Sequence, residues 1–158
     1  MIEQLQPTDW QRLKQIRVAA LKDSPDSFGS TLDEELMRSD AEWEEDLRGL
    51  ATFLVSVDRA DQGMVRCVPD RRFPSKMRLI GMWVAPDSRR LGLAEKLIHT
   101  AIEWACSKGC DELILDVADH NNSAIALYEK LMFKPNGVTG HLPSPRQHIT
   151  EHSRVRVL

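Results

Sequence analysis

A single mixed β-sheet layered by helices is the fold that this sequence predicts, and three features predict it. Short β-rich runs alternate with longer stretches of helical periodicity. A strand, helix, strand unit spans Leu79 to Val117 and is long enough for a parallel pair joined by a crossover. The length of 158 residues suits one domain that buries a core without disulfide or metal staples.

The elements follow in order. Ile2 to Leu5 reads as a short strand, and Pro7 with a capping pair at Thr8 and Gln11 opens a helix whose Leu13, Ile16 and Ala20 recur at helical spacing. Ser24, Pro25 and Gly29 interrupt the chain before a second helical stretch expected from Thr31 to Leu50, acidic on one side and striped by Leu32, Leu36, Trp43 and Leu47. Thr52 to Val57 and Met64 to Val68 form a hairpin across the polar segment Asp58 to Gly63. The basic segment Pro69 to Lys76 is a loop, and Leu79 to Val84, apolar on both faces, is a strand near the sheet centre. The helix Leu93 to Lys108 places Ala94, Leu97, Ile98, Ala101, Ile102 and Ala105 on one face, and Gly109 stops it. Glu112 to Val117 is the next strand, Asn121 to Leu131 the next helix, and Phe133 onward returns to the sheet, with a last strand at Arg154 to Leu158.

Composition narrows the function classes. The 21 basic and 24 acidic residues give a formal charge of -3, which is no footprint for nucleic acid. Cys67, Cys106 and Cys110 lack paired metal-ligand spacing and read as free thiols in a reducing compartment, so no metal is expected. The apolar runs are too short for a membrane span and the first residues carry no signal pattern, which points to a cytoplasmic enzyme or binding protein.

The segment Arg89-Arg90-Leu91-Gly92-Leu93-Ala94 carries chemistry. Gly92 and Ala94 have little or no side chain where a helix begins, so backbone N–H groups can surround a phosphate whose charge the helix dipole favours. Arg89 and Arg90 can add charge-assisted bonds at its mouth. The Lys-Ser/Thr ending of a nucleoside triphosphate loop is missing, as is the three-glycine dinucleotide fingerprint.

This Arg-x-x-Gly-x-Ala run resembles the pyrophosphate loop of the GCN5-related N-acetyltransferase (GNAT) family. Asn121, Ala124, Leu127, Tyr128 and Phe133 fall at the offsets of a second family motif. The resemblance is firm from Leu79 to Phe133 and looser outside it, where Asp23-Ser24-Pro25 and Phe28 to Thr31 look like the family's first interhelical loop. It implies one GNAT-like domain over residues 1–158, a sheet splayed at its centre, and direct transfer of an acetyl group from acetyl-coenzyme A to a primary amine without metal. Cofactor contacts are then expected from Trp83, Val84, Arg89, Arg90, Leu91, Gly92, Leu93, Ala94 and Asn121. Trp83 and Val84 would act through the backbone, one N–H facing the thioester oxygen.

By the same resemblance Tyr128, the only tyrosine, is the proton donor to the departing thiolate; the alternative is a ring packed in an amphipathic helix. Asn121 can touch the cofactor, cap its helix, or do both. The acceptor site is expected at Phe28, Glu34, Glu35 and Arg146, with Arg146 on an opposite wall holding a carboxylate of a zwitterionic acceptor. Two departures from the family pattern stand out: Arg90 where glycine is frequent, and Met132 where glycine usually precedes the phenylalanine. The alternatives are a non-catalytic acetyl-coenzyme A-binding module and transfer of a longer acyl group. A homodimer remains open beside a monomer.

Overall fold

The structure, a computed structural model, describes residues 1–158. The strands are β1 (Ile2–Gln4), β2 (Ala51–Val57), β3 (Ala60–Pro69), β4 (Lys76–Val84), β5 (Glu112–Ala118), β6 (Lys134–His141) and β7 (Thr150–Val157). The helices are α1 (Trp10–Asp23), α2 (Leu32–Leu36), α3 (Asp40–Gly49), α4 (Leu93–Ser107) and α5 (Asn122–Lys130). The seven strands form one sheet in the order β1-β2-β3-β4-β5-β7-β6, in which only β4 and β5 run parallel.

Two cores cover the two faces. Leu97, Ile98, Ala101 and Ala105 of α4, with Tyr128 of α5, pack on Val55, Val65, Leu79, Leu113 and Leu115 of the sheet. On the other face Leu13, Ile16 and Ala20 of α1 and Trp43 and Leu47 of α3 pack on Leu54, Met64 and Trp83. No helix is long and apolar enough to cross a membrane.

The expected helix from Thr31 to Leu50 is two helices. Ser39 adopts an extended conformation and accepts the Glu42 N–H at 3.2 Å, so a fresh N-cap interrupts the run. Leu36 consequently leaves the apolar stripe and stands exposed. The entry to α1 also differs: Asp9, not Gln11, closes the cap by accepting the Gln6 N–H at 2.8 Å, around a short 3-10 turn at Pro7–Asp9. The β2–β3 connection is a tight turn with positive φ at Asp58 and Arg59, so β3 begins at Ala60, within the expected polar segment, while β2 ends at Val57 as expected.

Met132 has φ of 69°, the left-handed conformation in which glycine is at ease. Its side chain is 59% exposed and fills no core. Met132→Gly is therefore expected to stabilise the protein by up to about 1 kcal/mol, net of the extra freedom glycine gives the unfolded chain. A rise of about 2–4 °C in Tm would show this, and a fall would mean that Met132 packs more than its exposure indicates.

Candidate functional site

The sheet opens at its centre. β4 and β5 pair only at Lys76↔Glu112, Met77↔Leu113 and Arg78↔Ile114, whereas β5 keeps pairing with β7 as far as Ala118. From Leu79 onward the facing edges of β4 and β5 leave a wedge of unpaired peptide groups. A bulge in β4 accompanies the divergence. The β3–β4 register shifts after Met64↔Trp83, and Gly81 takes φ of 62°. A Cβ on Gly81 would lie 3.2 Å from Cδ of Arg66, so space as well as conformation calls for glycine there.

At the end of β4 the chain turns through Pro86–Ser88 into the start of α4. Gly92 is the N-cap residue of α4, with φ of 74°. The amides of Arg90, Leu91, Gly92, Leu93, Ala94 and Glu95 donate to no acceptor within the chain. A run of free donors at the positive end of a helix dipole is a built anion cradle. Arg90 also has positive φ, 63°, which accounts for the glycine frequent at that position. The side chain of Leu91 is exposed and offers the site only its amide, whereas Leu93 is buried and lines it.

Arg89 departs from the expected phosphate contact. Its Nε donates to the Val84 carbonyl at 2.9 Å and its Nη2 to Asp23 at 2.5 Å. The guanidinium thus ties the loop to α1 and β4. Asp23 also accepts from the Trp83 indole at 3.0 Å and the Ser24 hydroxyl at 2.7 Å. The Ser24 hydroxyl foremost, then the indole and Arg89, hold its carboxyl below the usual carboxylate range.

Wedge and cradle share a cavity of about 570 Å³, lined among others by Phe28, Trp83, Val84, Gly92, Asn121 and Tyr128. That size suits a small-molecule or cofactor site. The Tyr128 ring packs edge-on against Phe133, with centroids 5.8 Å apart. Burial pushes its phenol above the ordinary range, so the hydroxyl keeps its proton. Asn121 caps α5, its Oδ1 accepting the Ala124 N–H at 3.4 Å.

The acceptor-side expectations are corrected in three places. Glu35 is buried and paired with Arg17 at 2.6 Å and Arg38 at 3.1 Å, so its carboxylate belongs to a structural network. Glu34 closes a reciprocal cap with Thr31 at the start of α2. Arg146 does not stand on an opposite wall: it donates to the carbonyls of Pro25, Phe28 and Gly29 at 2.6, 2.7 and 2.9 Å. The loop between β6 and β7 is thereby stapled to the α1–α2 loop, and the fork of Arg146 is taken up by main chain. Phe28 alone of these residues lines the cavity, with the Arg17 guanidinium 5.4 Å from its ring centroid.

Gly81 and Arg17 had no role assigned from the sequence, nor did Asp23 as the partner of Trp83 and Arg89. An isolated glycine inside an apolar strand is a bulge signal and marks Gly81. Asp23 and Arg17 carry no such signal, because their partners lie 60 and 18 residues away.

A mixed sheet that parts at its parallel pair, with an amide cradle at the helix that follows, is the fold of the acyl-coenzyme A N-acyltransferases. The chain belongs to the Acetyltransferase (GNAT) family, whose sequence profile matches residues 13–133. It is 32% identical over 93 residues to human N-acetyltransferase 8, a segment covering 57% of this chain and 41% of that protein. It is 30% identical over 82 residues to the probable N-acetyltransferase camello of Xenopus laevis, covering 52% and 37% respectively. The chain thus spans less than half the length of these curated relatives. Among solved structures, a GNAT-family acetyltransferase from Streptococcus pneumoniae superposes with a TM-score of 0.86 at 21% identity, covering 100% of this chain and 98% of that one. YncA from Salmonella typhimurium, solved with its cofactor acetyl-CoA, gives a TM-score of 0.79 at 16% identity, with coverage of 100% and 93%.

Proposed function

We propose that this protein is an acetyl-coenzyme A-dependent N-acetyltransferase, one domain over residues 1–158, acting by direct transfer to a primary amine of a small molecule or peptide. The observation that carries the proposal is that Arg90 and Gly92 to Glu95, whose amides are free, line one cavity with Tyr128. The cradle amides hold the pyrophosphate, with the Arg90 side chain adding charge at its mouth. The unpaired edge of β4 at Trp83 and Val84 receives the pantetheine arm, and an N–H there faces the thioester oxygen as negative charge develops. Asn121 offers its remaining amide hydrogens to the arm. The free amine forms its bond to the acetyl carbon, the carbon–sulfur bond breaks, and Tyr128 gives its proton to the departing sulfur. The amine's surplus proton leaves to solvent, which also returns one to Tyr128. The names of the curated relatives and the acetyl-CoA bound to YncA support this reading. The free thiols of Cys67, Cys106 and Cys110 favour a reducing, cytoplasmic setting.

Thiol release from acetyl-coenzyme A, measured over a panel of amines and peptides with a no-acceptor control, tests the proposal. Acceptor-dependent release is the expected result. Tight coenzyme A binding without acceptor-dependent release from any amine would leave a cofactor-binding module, and faster release from longer thioesters would replace acetyl by another acyl group.

A further inference from the structure

A second and larger cavity, about 1110 Å³, opens on the sheet face that carries α3. Helix α3 bounds it on one side, β6 on the other, and the loop between β3 and β4 closes its far end. Its floor includes Ile80, which is 38% exposed although β4 has a strand on each side. Ile80 lies two residues past the last β4–β5 rung, so the inner end of the groove reaches the wedge, three residues short of Trp83. Phe73 and Val138 add exposed apolar surface on the banks.

The charges along the groove are unevenly satisfied. Arg38 pairs with Asp46 at 3.1 Å, Arg78 with Asp116 at 2.7 Å and Lys76 with Glu112 at 2.9 Å. Arg71 and Arg72, at the far end, have no carboxylate partner. The loop that bears them is pinned: Asp70 accepts the amides of Arg72 and Phe73 at 2.8 and 3.0 Å, and the Lys76 ammonium lies 4.8 Å from the Phe73 ring centroid. Glu42 and Glu45 line the α3 side, so a phosphate backbone along the groove would meet repulsion. A polypeptide with carboxylates at one end fits this pattern.

We propose that this groove receives an extended segment of a polypeptide acceptor, and that Arg71 and Arg72 select acidic side chains in it. The proposal rests on the acetyltransferase reading above and deepens it by naming the acceptor class. From Trp83, where the thioester is placed, back to Lys76 the strand advances about 23 Å, and an extended peptide rises by the same ~3.3 Å per residue. Allowing for the loop beyond Lys76, the selected carboxylates stand roughly seven to nine residues from the acetylated amine.

Fluorescein-labelled dodecapeptides, with Glu or Lys at positions seven to nine from a single acceptor amine, test this by anisotropy in the presence of coenzyme A and by thiol release. The Glu peptide is expected to bind about tenfold more tightly at low salt, with the advantage shrinking as salt screens it. The double variant Arg71→Glu/Arg72→Glu should invert the preference, and an unaltered coenzyme A-induced melting shift would show that it is folded. Equal binding of the two peptides, or a preference untouched by the double variant, overturns the groove. Binding needs no turnover, so the two readings fail separately. Discriminating binding without acetylation of any acceptor removes the enzyme and keeps the docking surface, whereas acetylation of small amines without peptide discrimination does the reverse.

Discussion

Coenzyme A at a hundredfold excess over its Kd raises the Tm of the wild-type protein by roughly 5–10 °C and leaves that of Gly92→Glu unchanged. The first part follows from mass action: a ligand held only by the folded state at that excess adds about 2.7 kcal/mol. The second follows from the cradle. Gly92 has φ of 74°, and a Cβ built there meets nothing within 4 Å, so a side chain has room in the ligand-free protein. The cost to the fold is the conformational strain alone, about 1–2 kcal/mol. The glutamate then occupies the space a phosphate needs and sets a like charge against it. Gly92→Ala separates the two effects, since it carries the strain without the carboxylate and should keep a part of the shift. Undiminished coenzyme A affinity in a folded Gly92→Glu protein would remove the pyrophosphate from this loop.

Tyr128→Phe is expected to lower kcat by about 10- to 1000-fold while the coenzyme A-induced shift stays near its wild-type value. The substitution keeps the edge-on packing against Phe133 and deletes only the hydroxyl. Because burial raises the phenol above its ordinary range, the proton stays in place below about pH 10. The wild-type rate should therefore rise as the acceptor amine deprotonates and show no decline from Tyr128 ionisation before about pH 10. A sharp alkaline fall present in wild type and absent from Tyr128→Phe would contradict the raised phenol. A variant with wild-type kcat at every pH would reduce Tyr128 to a packing residue.

Local signals and distant ones divide what the sequence disclosed. The α4 stripe, the β4-α4-β5 unit and the glycine at the head of α4 are written in spacings of a few residues, and the structure holds them where expected. Met132 was legible for the same reason: a side chain where a helix stops on a left-handed residue announces its own strain. The break at Ser39 was readable in principle, since a serine three residues before a glutamate is a capping signal inside the acidic run. The roles of Arg89, Glu35 and Arg146 were not. Each depends on a partner brought close only by the fold, Arg146 on carbonyls more than a hundred residues earlier. A charged side chain read one position at a time looks free for a ligand, and the tertiary structure decides whether it is.

The three rungs that join β4 to β5 are also the only strand pairing between two half-sheets, β1 to β4 and β5 to β7. Beyond Arg78 that seam is unstitched, and a pantetheine arm laid along it would act as the missing rungs. Breathing of the free protein should then concentrate there, with those amides of Leu79 to Val84 and Leu115 to Ala118 that face the seam, rather than β3 or β7, exchanging their hydrogens sooner than those between β2 and β3. Coenzyme A should slow exchange on both banks together, one stitch closing two hems. Slowing confined to the β4 bank would show that the arm hangs from a single strand and leaves the halves of the sheet to move apart.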